Sequence, residues 1–143
     1  MSSVAQGTST AQAGGSDAPN HSAVVVAADE ETRVLLRGLL RLHHFRVLGE
    51  ADGYTAALQM VRERHPSLVV ADVNLSEGSP ASLIAEVREA DPGLRVVLVA
   101  PASRPPPMTD SPGRPDAVLL RPFRIRQFAE ALVPNAGEST SRS

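Results

Sequence analysis

The chain has 143 residues, a net charge of -2, no cysteine and no tryptophan. That length suits one domain with a single core, and the missing cysteines exclude a disulfide scaffold, a thiolate zinc site and a cysteine nucleophile. The near-neutral balance argues against nucleic-acid binding, which needs a clustered basic surface; all 14 basic residues are arginine, so chemistry that needs a lysine amine is excluded.

Residues 1–22 are mostly Ser, Ala, Gly, Thr and Gln and cannot bury enough surface to offset their ordering entropy, so a disordered N-terminal arm is expected. No charged n-region or apolar h-region of a signal peptide stands there. No later apolar run is long enough to span a membrane. A cytoplasmic address is the expectation.

Residues 23–28 (AVVVAA) form a short continuous apolar run, the pattern of a strand buried on both faces. Residues 31–43 carry Val34, Leu35, Leu39 and Leu42, with Leu36 and Leu40 widening the stripe, at helical spacing. Residues 46–51 (RVLGEA) are a second strand, and Asp52 is the expected cap of a helix from Gly53 that stops before Pro66. Residues 68–72 (LVVAD) are a third strand, apolar until its last residue. Ser79-Pro80 is a cap and first-turn pair for a helix with Leu83, Ile84 and Val87. Residues 95–100 (RVVLVA) and 117–120 (AVLL) are strands four and five, and Ile125, Phe128, Ala129 and Leu132 mark a last helix. Residues 134–143 read as a disordered tail, which leaves 23–133 as the folded domain.

Strands that alternate with helices, each strand a buried run, predict an α/β fold with a doubly wound, five-stranded parallel sheet. One link departs from the alternation. Residues 101–115 hold six of the 12 prolines where a fourth helix is due. Pro105, Pro106 and Pro107 cannot lie inside a helix, so a proline-rich loop replaces or shortens it.

In such a sheet, ligands bind beyond the carboxyl ends of the strands, at the switch point of the strand order. The first strand leads into Asp29, Glu30 and Glu31, the third ends in Asp72-Val73-Asn74, and the fifth ends in Arg121-Pro122-Phe123. Carboxylates beside a fixed cation suit a divalent metal or a phosphoryl group. No glycine-rich loop follows the first strand, so dinucleotide and P-loop readings fail. An enzyme on this fold has little support: no nucleophile stands with a base, and Tyr54 is the only tyrosine. His43 and His44 end the first helix, where they serve its terminal carbonyls and dipole rather than a metal.

The segments RVLLRGLL, GEADGYTAAL, LVVADVNL and AVLLRPF, spaced over residues 23–133, resemble the receiver domain of two-component response regulators. The resemblance implies a flavodoxin-like five-fold βα fold and a role in phosphorelay signalling without enzymatic activity. It sets Asp72 in the position of the phosphorylated aspartate and Asn74 where a backbone carbonyl ligates Mg²⁺. The implied partners are a sensor histidine kinase or another signalling protein.

The supporting positions depart from that pattern. With Arg33 as anchor, Ala27 and Ala28 stand where the family has an acidic pair, which leaves Asp29, Glu30 and Asn74 as weak metal candidates. Ala100 replaces the phosphoryl-binding hydroxyl, and Val118 the switching aromatic. Arg121 fills the lysine position with a planar fork in place of an ammonium. It is the candidate phosphate ligand or the salt-bridge partner of Asp72. Loss of the metal carboxylates leaves a phosphoryl donor facing like-charge repulsion. For Asp29 and Glu30, favourable charge at a helix N-terminus is the preferred explanation.

Two functional classes follow. One is a single-domain atypical response regulator, with Asp72 as phosphoacceptor and a degenerate Mg²⁺ and switch site. The other is a phosphorylation-independent pseudo-receiver that acts as an interaction module. No output domain is expected after residue 133, so both classes are expected to work by contacting another protein.

Overall fold

Strand β1 (Ser22–Val26) is buried along its whole length in the computed structural model, which describes residues 21–106 and 113–132. The same is true of β3 (Leu68–Asp72) and nearly so of β4 (Arg95–Pro101), whereas β2 (Arg46–Ala51) and β5 (Ala117–Arg121) are only partly covered. The strands with a neighbour on both sides are the buried ones; the mixed run of β2 takes one edge and β5, apolar over AVLL, the other. All pairings are parallel, in the order β2-β1-β3-β4-β5. The order reverses between β1 and β3, and that places the switch point where Asp29 and Asp72 leave the sheet.

Helices cover both faces, four among the described residues. Alternate strand residues divide between them. Val25, Val70, Val97, Val99 and Leu119 face α1 (Glu30–Leu42) and α4 (Ile125–Leu132) through Leu36, Leu40 and Phe128. Val24, Val26, Val69 and Leu98 face α2 (Tyr54–Arg64) and α3 (Pro80–Ala90) through Val61, Leu83, Ile84 and Val87. The α/β doubly wound expectation is met, and the strand boundaries agree within two residues. In the link from β4 to β5 the described residues, 102–106 and 113–116, hold no helix. The remainder of that proline segment, residues 1–20 of the arm expected over 1–22 and the tail over 134–143 lie outside the described residues, while Ser22, the last residue of that expected arm, is the buried first residue of β1.

Two local expectations are corrected. The first concerns which face of α1 is buried. Thr32, Leu36 and Leu40, at i, i+4 and i+8, point into the core, while Val34, Leu35 and Leu42 are 45%, 48% and 59% exposed. Apolar residues wrap well over half of this helix, and only one arc of a cylinder can meet a flat sheet. The arc is selected at the helix start: Asp29 caps it, and Arg33 Nη1 donates to the Ala27 and Ala28 carbonyls at 2.7 and 3.2 Å.

The second concerns the start of α2. Its N-cap is Gly53, not Asp52, and Gly53 brings no side-chain cap. The Glu77 carboxylate reaches over from the β3–α3 loop instead and accepts from Thr55 N at 2.8 Å. The approach needs a glycine, since a Cβ at position 53 would lie 2.4 Å from Ser76 Oγ and 2.9 Å from Glu77 Cγ. Ser79 does cap α3 as expected, its hydroxyl accepting from Ser82 N, with Pro80 at the first turn.

Candidate functional site

Asp72 is the last residue of β3 and only 2% exposed. A carboxylate held that far from water needs partners inside the fold. Its Oδ1 accepts from Asn74 N at 3.0 Å, an Asx-type turn that starts the following loop. Its Oδ2 lies 3.4 Å from Arg121 Nη2. Arg121 ends β5, two strands away, so only a side chain of that length spans the gap across β4.

The turn after β1 fills the opposite wall. Ala27 is fully buried and Ala28 N donates to the Asn74 carbonyl at 3.0 Å. Thus the backbone oxygen that the resemblance assigns to a metal already accepts a hydrogen bond. Asp29 accepts from Thr32 N and Thr32 Oγ1, both at 3.0 Å, and is the cap of α1. Glu30 stands exposed in the first turn of α1, where the helix dipole favours a carboxylate. Among the described residues, no group of three or more His, Cys, Asp and Glu is placed to hold a metal.

Ala100, at the end of β4, is fully buried and offers no hydroxyl. Val118 is 45% exposed and borders a cavity of about 610 Å³ with Asn74, Ile84, Leu98 and Pro106. His43 and His44 close α1. His43 Nδ1 donates to Leu39 O at 2.9 Å, the only role open to a nitrogen facing a carbonyl. His44 N donates to Arg41 O and Phe45 N to Leu40 O, each at 2.9 Å, with His44 in the left-handed region at φ 68°. That is a Schellman ending.

Two supports of the cleft were not read from the sequence. Arg33 holds the Ala27 and Ala28 carbonyls of the turn after β1 and also faces Glu50, its Nε 3.6 Å from Glu50 Oε1, while Arg37 Nη1 binds Glu50 Oε2 at 2.5 Å. Glu50 lies on β2, 13 to 17 residues from its partners, a separation that helical spacing rules do not cover. Glu77 fixes the loop after Asp72: it accepts through its carbonyl from Tyr54 N and through its carboxylate from Thr55 N. The Thr55 hydroxyl first, and then the Thr55 amide, lower the Glu77 pKa below the usual glutamate value of 4.5. A faint signal for Glu77 existed in the glycine at position 53, where a side-chain cap was due.

A family model described as the response regulator receiver domain matches residues 23–112. The chain is similar to the chemotaxis protein CheY of Bacillus subtilis, with 22% identity over 114 residues that cover 78% of this chain and 94% of the relative. Its fold is similar to a CheY-like receiver domain from Methylobacillus flagellatus, with a TM-score of 0.68, 19% identity and coverage of 79% and 98% of the two chains. A response regulator from Burkholderia pseudomallei, solved with a phosphorylated aspartic acid, calcium ion and citrate, gives a TM-score of 0.66 at 20% identity, covering 85% of this chain and 71% of that one.

Proposed function

Because the chain belongs to the response regulator receiver domain family of two-component signalling, we propose that it is an atypical receiver that signals by protein contact, its divalent-ion site lost and its phosphoacceptor position held ion-paired. Receiver domains are in general signalling modules rather than enzymes, interact with histidine kinases and other signalling proteins, and bind Mg²⁺ at the phosphorylation site. The residues here do not fit that ion. Mg²⁺ wants near-octahedral oxygen donors that include carboxylates. Among the described residues Asp72 is the one buried carboxylate at the cleft, and both of its oxygens are engaged. Asp29 is spent on a helix cap, and Ala27 and Ala28 bring no carboxylate.

The Asp72–Arg121 pair carries the proposal. A fixed guanidinium neutralises the buried carboxylate without a mobile ion, and so stabilises one state of the site. Ala100 and Val118 provide neither the hydroxyl nor the ring that would move upon phosphorylation. A cytoplasmic address belongs to the same proposal.

Incubation with a small-molecule phosphodonor, with and without Mg²⁺, followed by intact-mass measurement, tests it. The expected result is no Mg²⁺-dependent adduct on the wild-type chain. A Mg²⁺-dependent phosphoryl adduct that disappears in Asp72→Asn contradicts the proposal and supports the second reading, a working phosphoacceptor in a relay. That reading draws on the position of Asp72 at the carboxyl end of β3 and requires Arg121 to release it.

A further inference from the structure

Helix α1 carries a second apolar face that the fold leaves uncovered. Its inward arc is Thr32, Leu36 and Leu40. On the opposite arc, Val34, Gly38 and Leu42 follow one another at i, i+4 and i+8, and Leu35 stands beside them. The three large residues are 45%, 48% and 59% exposed, and a Cβ built at Gly38 meets nothing within 4 Å. An apolar strip with open space at its centre is a surface for another element, not a solvated helix face.

The charges at the two ends of α1 select the occupant. The first turn is acidic, with Glu30 and Glu31, and the last turn carries Arg41. We propose that the strip is a self-association surface on which two copies of this chain pack α1 against α1 in antiparallel fashion. With Gly38 on the two-fold axis, Val34 of each copy faces Leu42 of the other. The acidic turn of each helix then lies near the basic turn of its mate, Glu31 one helical turn (~6 Å along the axis) from the level of Arg41, within reach of two long side chains, and the macrodipoles oppose. A parallel pairing would set like charges together. The missing side chain at position 38 lets the helix axes approach where they cross. One helix pair buries less than a standard interface, so the dimer forms with rising concentration rather than being obligate.

Sedimentation velocity of the full chain over a concentration series tests this, with circular dichroism to confirm that each variant is folded. A monomer–dimer equilibrium is expected, and Leu42→Arg, at a position already open to solvent, abolishes it. Glu31→Arg and Arg41→Glu each weaken the dimer by about tenfold, since each changes the sign of two symmetry-related contacts. The double variant Glu31→Arg/Arg41→Glu regains the wild-type affinity, and an equimolar mixture of the two single variants forms a heterodimer. A chain that stays monomeric to its solubility limit overturns the proposal. So does a dimer indifferent to Leu42→Arg or not rescued by the double reversal, either of which would assign the strip to a different protein or to residues 1–20.

Discussion

Asp72 and Arg121 illustrate how much depends on single side chains. Asp72 is 2% exposed with Arg121 in place, and removal of Arg121 leaves its carboxylate with one backbone donor among protein groups. Arg121 itself is about one-third exposed, so the cost falls below that of breaking a fully buried pair. Arg121→Ala is expected to destabilise the fold by about 1–3 kcal/mol in urea titrations, and the double variant Asp72→Asn/Arg121→Ala to recover part of the loss. An unchanged urea midpoint for Arg121→Ala would mean that the pair does not hold the site. His44 offers the opposite case. An L-residue with φ 68° is strained at a position where glycine is free. His44→Gly is therefore expected to raise stability by about 0.5–1 kcal/mol, read as a higher melting temperature. At this scale the sequence was a partial guide. Asp72 stood out because four apolar residues precede it at a strand end, and His43 was placed at a helix end for the right reason, whereas His44 ends that helix through its backbone. Glu50 was not marked out, since its partners Arg33 and Arg37 come from a helix 13 to 17 residues away, and Arg33 served only as an alignment anchor, its contacts to Glu50 and to main-chain carbonyls unread.

At the level of elements, the loop after Asp72 is held by its neighbour rather than by itself. Glu77 caps α2 from that loop, and Ser76 N donates to Asp52 O at 2.8 Å. Because the Thr55 hydroxyl and amide favour the charged form, the Glu77 pKa is lower in the folded chain than in the unfolded one. Its contribution is then fully present above the unfolded value and is lost as pH falls through the folded one. The stability difference between wild type and Glu77→Gln should thus be constant at neutral pH and shrink below pH 4.5. Denaturation midpoints across that range measure it, and a difference that grows on acidification would contradict the assignment. Periodicity alone found α1 but not its orientation. A stripe that wraps most of a helix does not say which arc meets the sheet, and the cap at Asp29 with the Arg33 contacts settles it here. The expectation of Asp52 as a cap failed for a related reason: the better acceptor came from 22 residues away.

For the molecule as a whole, alternation of apolar runs with helical stripes was enough to read a doubly wound parallel sheet. The proline run, likewise, pointed to the link that lacks a helix among its described residues. Inner and edge strands were not told apart in this way: β2 mixes Arg46 and Glu50 into its run, but the edge strand β5 is as continuously apolar over AVLL as the inner β3 is over LVVA. Which carboxylates do what was not legible in that way. Asp29 and Asp72 both follow buried strands, yet one caps a helix and the other is sealed beneath a guanidinium, a difference that arises only when β1, β3 and β5 are assembled. The absence of lysine, a compositional fact in the sequence, becomes in the fold a fixed arginine at the cleft. The most direct test of a cleft without a divalent-ion site is a Mg²⁺ titration followed through the backbone amide resonances of Ala27, Ala28, Asp72 and Asn74. No saturable shift at these amides is predicted; saturable shifts that vanish in Asp72→Asn would contradict it.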